Sequence, residues 1–214
     1  VDDLMPQVEA LRAAGTKEMF SGATFPAKVM SANAYLGAFP IAAALSAGAD
    51  IVVTGRCVDS AVTLAPLIAR FGWTADDLDK LAQGSLAGHL IECGTQATGG
   101  NYTDWASVPG WDDMGFPIAE CRADGSFVIT KPPGTGGLVC PSTVGEQMLY
   151  EIGDPRAYIL PDVVCDFTDV TLTQVGPDRV EVRGARGLPP TDQAKVSVTY
   201  ADGFRATSLF MIGG

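Results

Sequence analysis

The sequence predicts an α/β fold: a Rossmann-like parallel sheet built from βα units, followed by a smaller β-rich segment. β-prone runs alternate with helix-like stretches between residues 26 and 72, which is the pattern of βα units with right-handed crossovers. The run Asp50–Thr54 is almost continuously apolar, as in parallel strands buried on both faces. From Asp154 onward, alternating strand patterns replace the helical ones. We therefore predict an α/β domain at residues 1–153 and a β-rich segment at 154–214.

Apolar spacing and end signals place the individual elements. Helices are predicted at residues 2–14, 36–48, 60–72, 76–93 and 143–152, and strands at 26–31, 50–54, 126–130, 170–175, 179–182 and 195–200. Glycines such as Gly15 and Gly72 end helices, and the pair Asp59 and Ser60 caps one. Because parallel strands end at the same sheet edge, we expect residues 31–35 beside 54–56, where open α/β sheets bind ligands.

Charge and hydropathy exclude two classes of partner. The 214 residues carry a net charge of −11 and only 14 Lys and Arg, which argues against nucleic acid and acidic membrane surfaces as partners. The longest apolar stretch, residues 34–49, is interrupted by Gly37 and Pro40 and is too short to span a bilayer. We expect a protein that is not in the membrane and that forms a homo-oligomer.

Cysteine and histidine usage indicates the compartment and argues against a metal site. The five cysteines are an odd number and contain no C-x-x-C pair, which fits a reducing compartment, so we expect a cytoplasmic protein. The single histidine, His89, leaves no Cys/His zinc module and no multi-histidine metal centre. No cofactor motif is recognisable, and the Walker pattern is absent.

Three glycine-rich junctions predict an anion-binding cleft. They lie at residues 54–60, 92–101 and 130–137, each where a strand-like segment meets a helix-like one. Glycine allows backbone N–H groups to approach a ligand, and a following helix start adds unpaired donors. The candidate donors are the N–H groups of Gly99, Gly100, Gly134, Thr135 and Gly136. A tight turn that serves only the fold is the competing interpretation of each junction.

Charged residues in these junctions are the candidates for chemistry. Arg56 and Lys131 would hold the anion, for example the phosphates of a coenzyme A thioester. Asp59 and Glu92 would move a proton. In the structural alternative, Arg56 and Asp59 pair with each other and only hold the loop.

Two further pairs are ambiguous at the sequence level. Asn33 and Tyr35 would orient a substrate carbonyl, or form only a turn and a half-buried ring. His89 and Cys93 share a helix face, so they are either a nucleophile pair or a helix-end histidine beside a buried cysteine.

The same residues carry a family resemblance. The chain resembles the acyclic terpene utilisation protein A family in SANAYLGA (31–38), VTGRCVDS (53–60), GHLIECG (88–94) with TGG (98–100), GFPIAE (115–120), TKP with GTGG (130–137), and LYEI with DP (149–155). Members are bacterial, cytoplasmic and longer than this chain, so the resemblance implies the middle and later part of one. It also implies a role in citronellol- and geraniol-type terpene catabolism, which proceeds through coenzyme A thioesters. It supplies no catalytic residues.

Two function classes follow from these observations. The first is a hydratase, lyase or isomerase acting on a branched acyl-CoA or carboxylate as its small-molecule substrate. The second is a non-catalytic binding or scaffold subunit that partners a pathway enzyme such as an acyl-CoA carboxylase, with the glycine junctions serving the fold and assembly. Turnover of a bound ligand distinguishes the two.

Overall fold

The computed structural model describes residues 2–211. Within this part of the chain, residues 2–34 and 195–211 form one compact unit, and residues 35–194 form another. The helices are α1 (Val8–Ala13), α2 (Phe39–Ser46), α3 (Ala61–Phe71), α4 (Leu78–Glu92) and α5 (Pro141–Leu149). No helix among the described residues is both long and apolar enough to cross a bilayer.

All named strands pair in the antiparallel sense. They are β1 (Ser31–Ala34), β2 (Ile118–Cys121), β3 (Phe127–Thr130), β4 (Tyr158–Ile159), β5 (Val164–Asp166), β6 (Thr171–Gly176), β7 (Arg179–Arg183), β8 (Arg186–Leu188) and β9 (Val196–Thr199). Strands β1 and β9 form a two-stranded sheet in the first unit. The second unit holds a four-stranded sheet in the order β2-β3-β7-β6 and a three-stranded sheet in the order β4-β5-β8.

The predicted Rossmann-like parallel sheet is wrong. The apolar run Asp50–Thr54 forms no strand, and the side chains of Ile51 and Val53 are 85% and 93% exposed. Parallel pairing near it is confined, among residues 2–211, to the bridge between Leu36 and Cys57. The strand that is buried on both faces is β3, and its neighbours β2 and β7 are both antiparallel to it. A doubly buried strand thus occurs here at the centre of an antiparallel sheet.

Several local predictions are confirmed. Helix α3 follows Ser60 and ends at Gly72, which is left-handed with φ 67°, and α4 lies within the predicted 76–93. The β-prone patterns of residues 126–130 and 170–182 are strands. The domain boundary at residue 154 stays a prediction.

Helix α4 is the centre of the second unit. Its residues from Leu81 to Leu90 are all buried, as expected of a helix covered on every side. Gln83 joins it to the four-stranded sheet region, since its amide nitrogen donates to the carbonyl oxygen of Val182 (2.9 Å) and its oxygen accepts from the amide of Ala185 (2.9 Å).

Two glycines let α4 approach its neighbour α3 closely. A Cβ on Gly84 would lie 2.8 Å from Leu64 Cδ1, and one on Gly88 would lie 2.8 Å from the Cα of Ser60. At Gly88 the overlap is with backbone atoms, so this position requires glycine, whereas at Gly84 the nearest atom is the end of the flexible Leu64 side chain. The contact at Gly88 brings the start of α3, and with it Asp59, beside the last turns of α4.

Candidate functional site

Arg56 and Tyr35 form a stacked pair in the second unit. Leu36 donates its amide to the carbonyl of Arg56, and Val58 donates to the carbonyl of Leu36, each at 3.0 Å. The guanidinium carbon of Arg56 then lies 4.9 Å from the centroid of the Tyr35 ring, which is a cation–π contact. The expected approach of residues 31–35 to 54–56 is confirmed for this pair. Stacking on an aromatic face orients the planar guanidinium.

Asp59 and Glu92, the two candidate acid/base residues, both raise the pKa of the Tyr158 phenol. Tyr158 of β4 is half-buried, and its ring lies 6.1 Å from the His89 ring and 5.9 Å from the Phe167 ring, centroid to centroid. Burial raises the pKa of Tyr158, and the negative charges of Asp59 and Glu92 raise it further. Both carboxylates are exposed. Two carboxylates from separate helix ends thus contribute to the negative electrostatic environment of one phenol.

A third carboxylate belongs to the same region. Glu151 also raises the pKa of Tyr158, and its charge is the main cause of the raised pKa of Tyr150. Its backbone is left-handed, with φ 58°, a conformation that is uncommon for a residue other than glycine. We call Asp59, Glu92, Glu151 and Tyr158 the phenol cluster.

The thiol of Cys93 is not an activated nucleophile. It donates a hydrogen bond to Glu92 Oε1 at 2.8 Å. Burial and this hydrogen bond raise the pKa of Cys93 to about 11, so the thiol stays protonated at neutral pH, whereas nucleophilic attack requires the thiolate. The geometry therefore favours the structural interpretation of the His89 and Cys93 pair.

His89 has a structural partner across the helix interface. Its Nε2 lies 3.0 Å from the carbonyl oxygen of Gln147 in α5, and the Gln147 side-chain amide donates to the carbonyl of His89 at 2.9 Å. Both residues are buried. This reciprocal pair holds the end of α4 against α5, and it fixes the His89 ring beside Tyr158.

We expect the stability of the protein to depend on the charge of His89. Burial lowers the pKa of His89 below its ordinary 6.5, so below pH 6.5 the unfolded chain binds a proton there that the folded chain excludes. The free energy of unfolding should fall as the pH is lowered through 6.5, by at most about 1.4 kcal/mol per pH unit from this group. His89→Gln should flatten the slope between about pH 7 and about pH 5, measured by urea denaturation. Equal slopes in both proteins would contradict the assignment.

In the third glycine junction, several hydrogen-bond donors are already engaged by acceptors within the protein. Lys131 is only 7% exposed at its side chain, and its Nζ donates to the carbonyl of Thr135 (2.7 Å) and pairs with Asp178 Oδ2 (3.3 Å). Thr135 donates its hydroxyl to the carbonyl of Pro132 (2.7 Å), and the amide of Gly136 donates to the carbonyl of Asp113 (2.7 Å). Binding an anion here requires these donors to change partners. The roles predicted for Lys131, Gly134, Thr135 and Gly136 stay predictions.

The second junction is likewise a close-packed turn. Gly99 is left-handed, with φ 102°, and a Cβ on it would lie 2.9 Å from Val108 Cγ2. The amide of Gly100 donates to the carbonyl of Thr95 at 2.8 Å. The structure brings this junction against the third one, since Leu138 donates its amide to the carbonyl of Thr98 at 2.8 Å. Anion binding by Gly99 and Gly100 stays a prediction.

Asn33 belongs to the first unit. It lies on β1 opposite Ser197 of β9, and its amide nitrogen donates to Asp2 Oδ2 at 2.9 Å. The predicted role of orienting a carbonyl stays a prediction for Asn33.

Sequence reasoning missed Tyr158, Tyr150 and Glu151 as members of this region. Tyr158 sits in a strand of only two residues, and no spacing rule links it to Asp59 or Glu92. Glu151 belongs to the LYEI segment and lies inside the helix predicted at 143–152, so no local signal placed it after a helix end.

A polar cavity opens beside the phenol cluster. Its volume is about 320 Å³, and it is lined by Gln96, Asn101, Thr103, Glu146, Leu149 and Tyr150. Tyr150 connects it to the cluster, because the charge of Glu92 contributes to the raised pKa of this tyrosine. Among residues 2–211, no group of three or more His, Cys, Asp or Glu side chains is arranged to hold a metal ion.

Comparison with known proteins identifies one similarity. The family model described as acyclic terpene utilisation family protein AtuA matches residues 1–214. No curated protein and no solved structure matches the chain.

Proposed function

We propose, starting from the fact that this chain belongs to the acyclic terpene utilisation family, that it is an enzyme of acyclic terpene and branched-acid catabolism. The proposed reaction class is that of a hydratase, lyase or isomerase acting on an acyl-CoA thioester or a related carboxylate. The observation that carries this proposal is the phenol cluster, where the charges of carboxylates from different helix ends raise the pKa of a half-buried tyrosine. Perturbed titratable groups gathered in this way are typical of functional sites.

The cluster supplies both halves of acid–base catalysis. An ionised carboxylate, Asp59 or Glu92, would take the proton from the carbon next to the thioester carbonyl. Tyr158, whose raised pKa keeps the phenol protonated, would give a proton to the leaving oxygen in an elimination, or to the distant carbon in an isomerisation. The reverse elimination adds water across the double bond. One proton leaves the substrate and one arrives, so neither an oxidant nor a reductant is needed.

Arg56 is the proposed anion holder. It lies three residues before Asp59, is exposed, and stacks on Tyr35. A guanidinium fixed in this way suits the planar carboxylate or the phosphates of coenzyme A. The neighbouring polar cavity, with the amides of Gln96 and Asn101, would take an uncharged part of the same substrate.

A scaffold or binding subunit is the second candidate, and a different observation favours it. The donors of the two later glycine junctions are engaged by backbone carbonyl oxygens, as described for Gly100, Gly136 and Lys131. These junctions would then serve the fold, and the protein would act through a partner such as an acyl-CoA carboxylase, or as a homo-oligomer in the cytoplasm.

Deuterium exchange separates these two functions. Incubated in D₂O with a branched acyl-CoA, the wild-type protein should incorporate deuterium next to the thioester carbonyl, followed by mass spectrometry. Arg56→Ala should raise the substrate concentration for half-maximal exchange more than about tenfold, because a charge-assisted contact is lost. Arg70→Ala, which removes an exposed arginine of α3, is the matched control and should behave as the wild type. Tight binding of the thioester without exchange would support the scaffold function instead.

A further inference from the structure

Asp162 is a half-buried carboxylate that the proposed reaction does not use. It lies in the turn between β4, which carries Tyr158, and β5. Its Oδ2 accepts a hydrogen bond from the amide of Ala38 at 2.7 Å, and Ala38 directly precedes the first residue of α2. The first amides of a helix have no acceptor within the helix, so this carboxylate holds the start of α2 against the β4–β5 turn.

Gly37 brings the same carboxylate directly against the backbone. A Cβ on Gly37 would overlap both carboxylate oxygens of Asp162, and the three heavy atoms nearest to it all belong to this side chain. Gly37 and Ala38 are both buried. The Asp162 carboxylate therefore occupies the space that a side chain at position 37 would need, and it leaves the backbone before α2 little room to move.

The adjoining backbone positions Arg56. Leu36 donates its amide to the carbonyl of Arg56 and accepts from the amide of Val58, each at 3.0 Å. Tyr35 directly precedes Leu36, and its ring centroid lies 4.9 Å from the guanidinium carbon of Arg56. Asp162 thus holds one end of a backbone segment whose other end carries the ring on which Arg56 stacks.

We propose that Asp162 is a positioning residue for Arg56. By fixing the start of α2, it keeps the ring of Tyr35 where that ring orients the guanidinium. The effect on substrate binding rests on the proposed function, whereas the effect on the stacking of Arg56 depends on no reaction. Because the turn that contains Asp162 follows the strand of Tyr158, one side chain links the proposed anion holder to the strand of the proposed acid.

Deuterium exchange with a branched acyl-CoA tests the effect on binding. Asp162→Ala should raise the substrate concentration for half-maximal exchange about fivefold, less than Arg56→Ala because the guanidinium is still present. The rate at saturation should change less than about twofold. A purely structural role would reduce the number of folded molecules, which lowers the rate at saturation and leaves the half-maximal concentration unchanged. That result would refute the positioning role.

Two further variants make the test specific to this contact. Asp162→Asn keeps an oxygen that accepts from the amide of Ala38 and should restore the wild-type half-maximal concentration. Asp166→Ala removes a carboxylate that accepts from the amide of Thr168 (2.9 Å) at the end of β5. It is the matched control and should behave as the wild type. An equal effect of Asp166→Ala would contradict the assignment.

Gly37→Ala breaks the same contact from the other side. The added methyl group would displace the Asp162 carboxylate, so this variant should raise the half-maximal concentration about as much as Asp162→Ala does. In the double variant the obstacle to the methyl group is gone, and the second substitution should add no further effect, because both break one contact. Additive effects of the two substitutions would refute the proposal.

Nuclear magnetic resonance separates a failure of this inference from a failure of the proposed function. The ring current of Tyr35 should shift the side-chain resonances of Arg56, and Tyr35→Leu gives their positions without the ring. In Asp162→Ala these resonances should move toward the Tyr35→Leu positions, and in Asp162→Asn they should stay near the wild-type positions. If the wild-type protein catalyses no exchange and the resonances move, the proposed function is wrong and the positioning role stands. Unmoved resonances in Asp162→Ala would overturn the positioning role.

Discussion

Gly136→Ala should lower the free energy of unfolding by about 3 kcal/mol, the upper end of what overpacking costs. A Cβ at this position would overlap the carbonyl oxygen and the Cα of Gly110. These are backbone atoms of a segment that is itself tied down, because Asp113 accepts a hydrogen bond from the amide of Gly136 (2.7 Å). The junction would have to separate from residues 110–113 to admit a methyl group.

Gly134→Ala in the same junction is the matched control. Gly134 is left-handed, with φ 81°, and no atom lies within 4 Å of a Cβ built there. Only the backbone penalty applies, so we expect a loss of about 1 kcal/mol. Urea denaturation of both variants measures the difference. Two equally small losses would contradict the close packing of the junction against residues 110–113.

The sequence predicts local structure well here because local structure depends on local signals. Helix α3 begins after Ser60, whose side chain makes no capping hydrogen bond, and ends at the left-handed Gly72, as such a glycine predicts. The parallel sheet fails for a physical reason. An apolar run indicates that a segment can be buried. Distant residues decide which strand that segment pairs with. Ile51 and Val53 of this run lie exposed, whereas β3 pairs with β7, some fifty residues later.

The candidate site, too, could be predicted only in part from local sequence signals. Asp59 and Glu92 could be chosen from the sequence because the start of α3 and the end of α4 are recognisable locally. The glycine contact between Gly88 and Ser60, which places Asp59 beside the last turns of α4, is revealed only by the tertiary structure. The glycine junctions predicted anion binding because glycine gives the backbone conformational freedom. The fold uses that freedom for close backbone contacts.

Tyr158→Phe should reduce the rate at which the acyl-CoA is converted to product by about 10²- to 10⁴-fold, the range attributed to general acid–base catalysis. The substitution removes the hydroxyl alone. The ring contacts with His89 and Phe167 at about 6 Å remain, so the melting temperature should change little. A loss of product formation with retained thermal stability therefore separates a chemical role from a structural one.

Two comparisons make this result specific to the phenol cluster. Tyr200→Phe removes a phenol hydroxyl from an exposed position in the other unit and should form product at the wild-type rate. Asp59→Asn and Glu92→Gln identify the base: the variant that loses exchange has lost the group that takes the proton, since an amide does not accept it. If Tyr158→Phe forms product at the wild-type rate, the phenol is not the acid. Because burial and the carboxylates raise the pKa of Tyr158, the phenol remains protonated across neutral pH, where a proton donor is required.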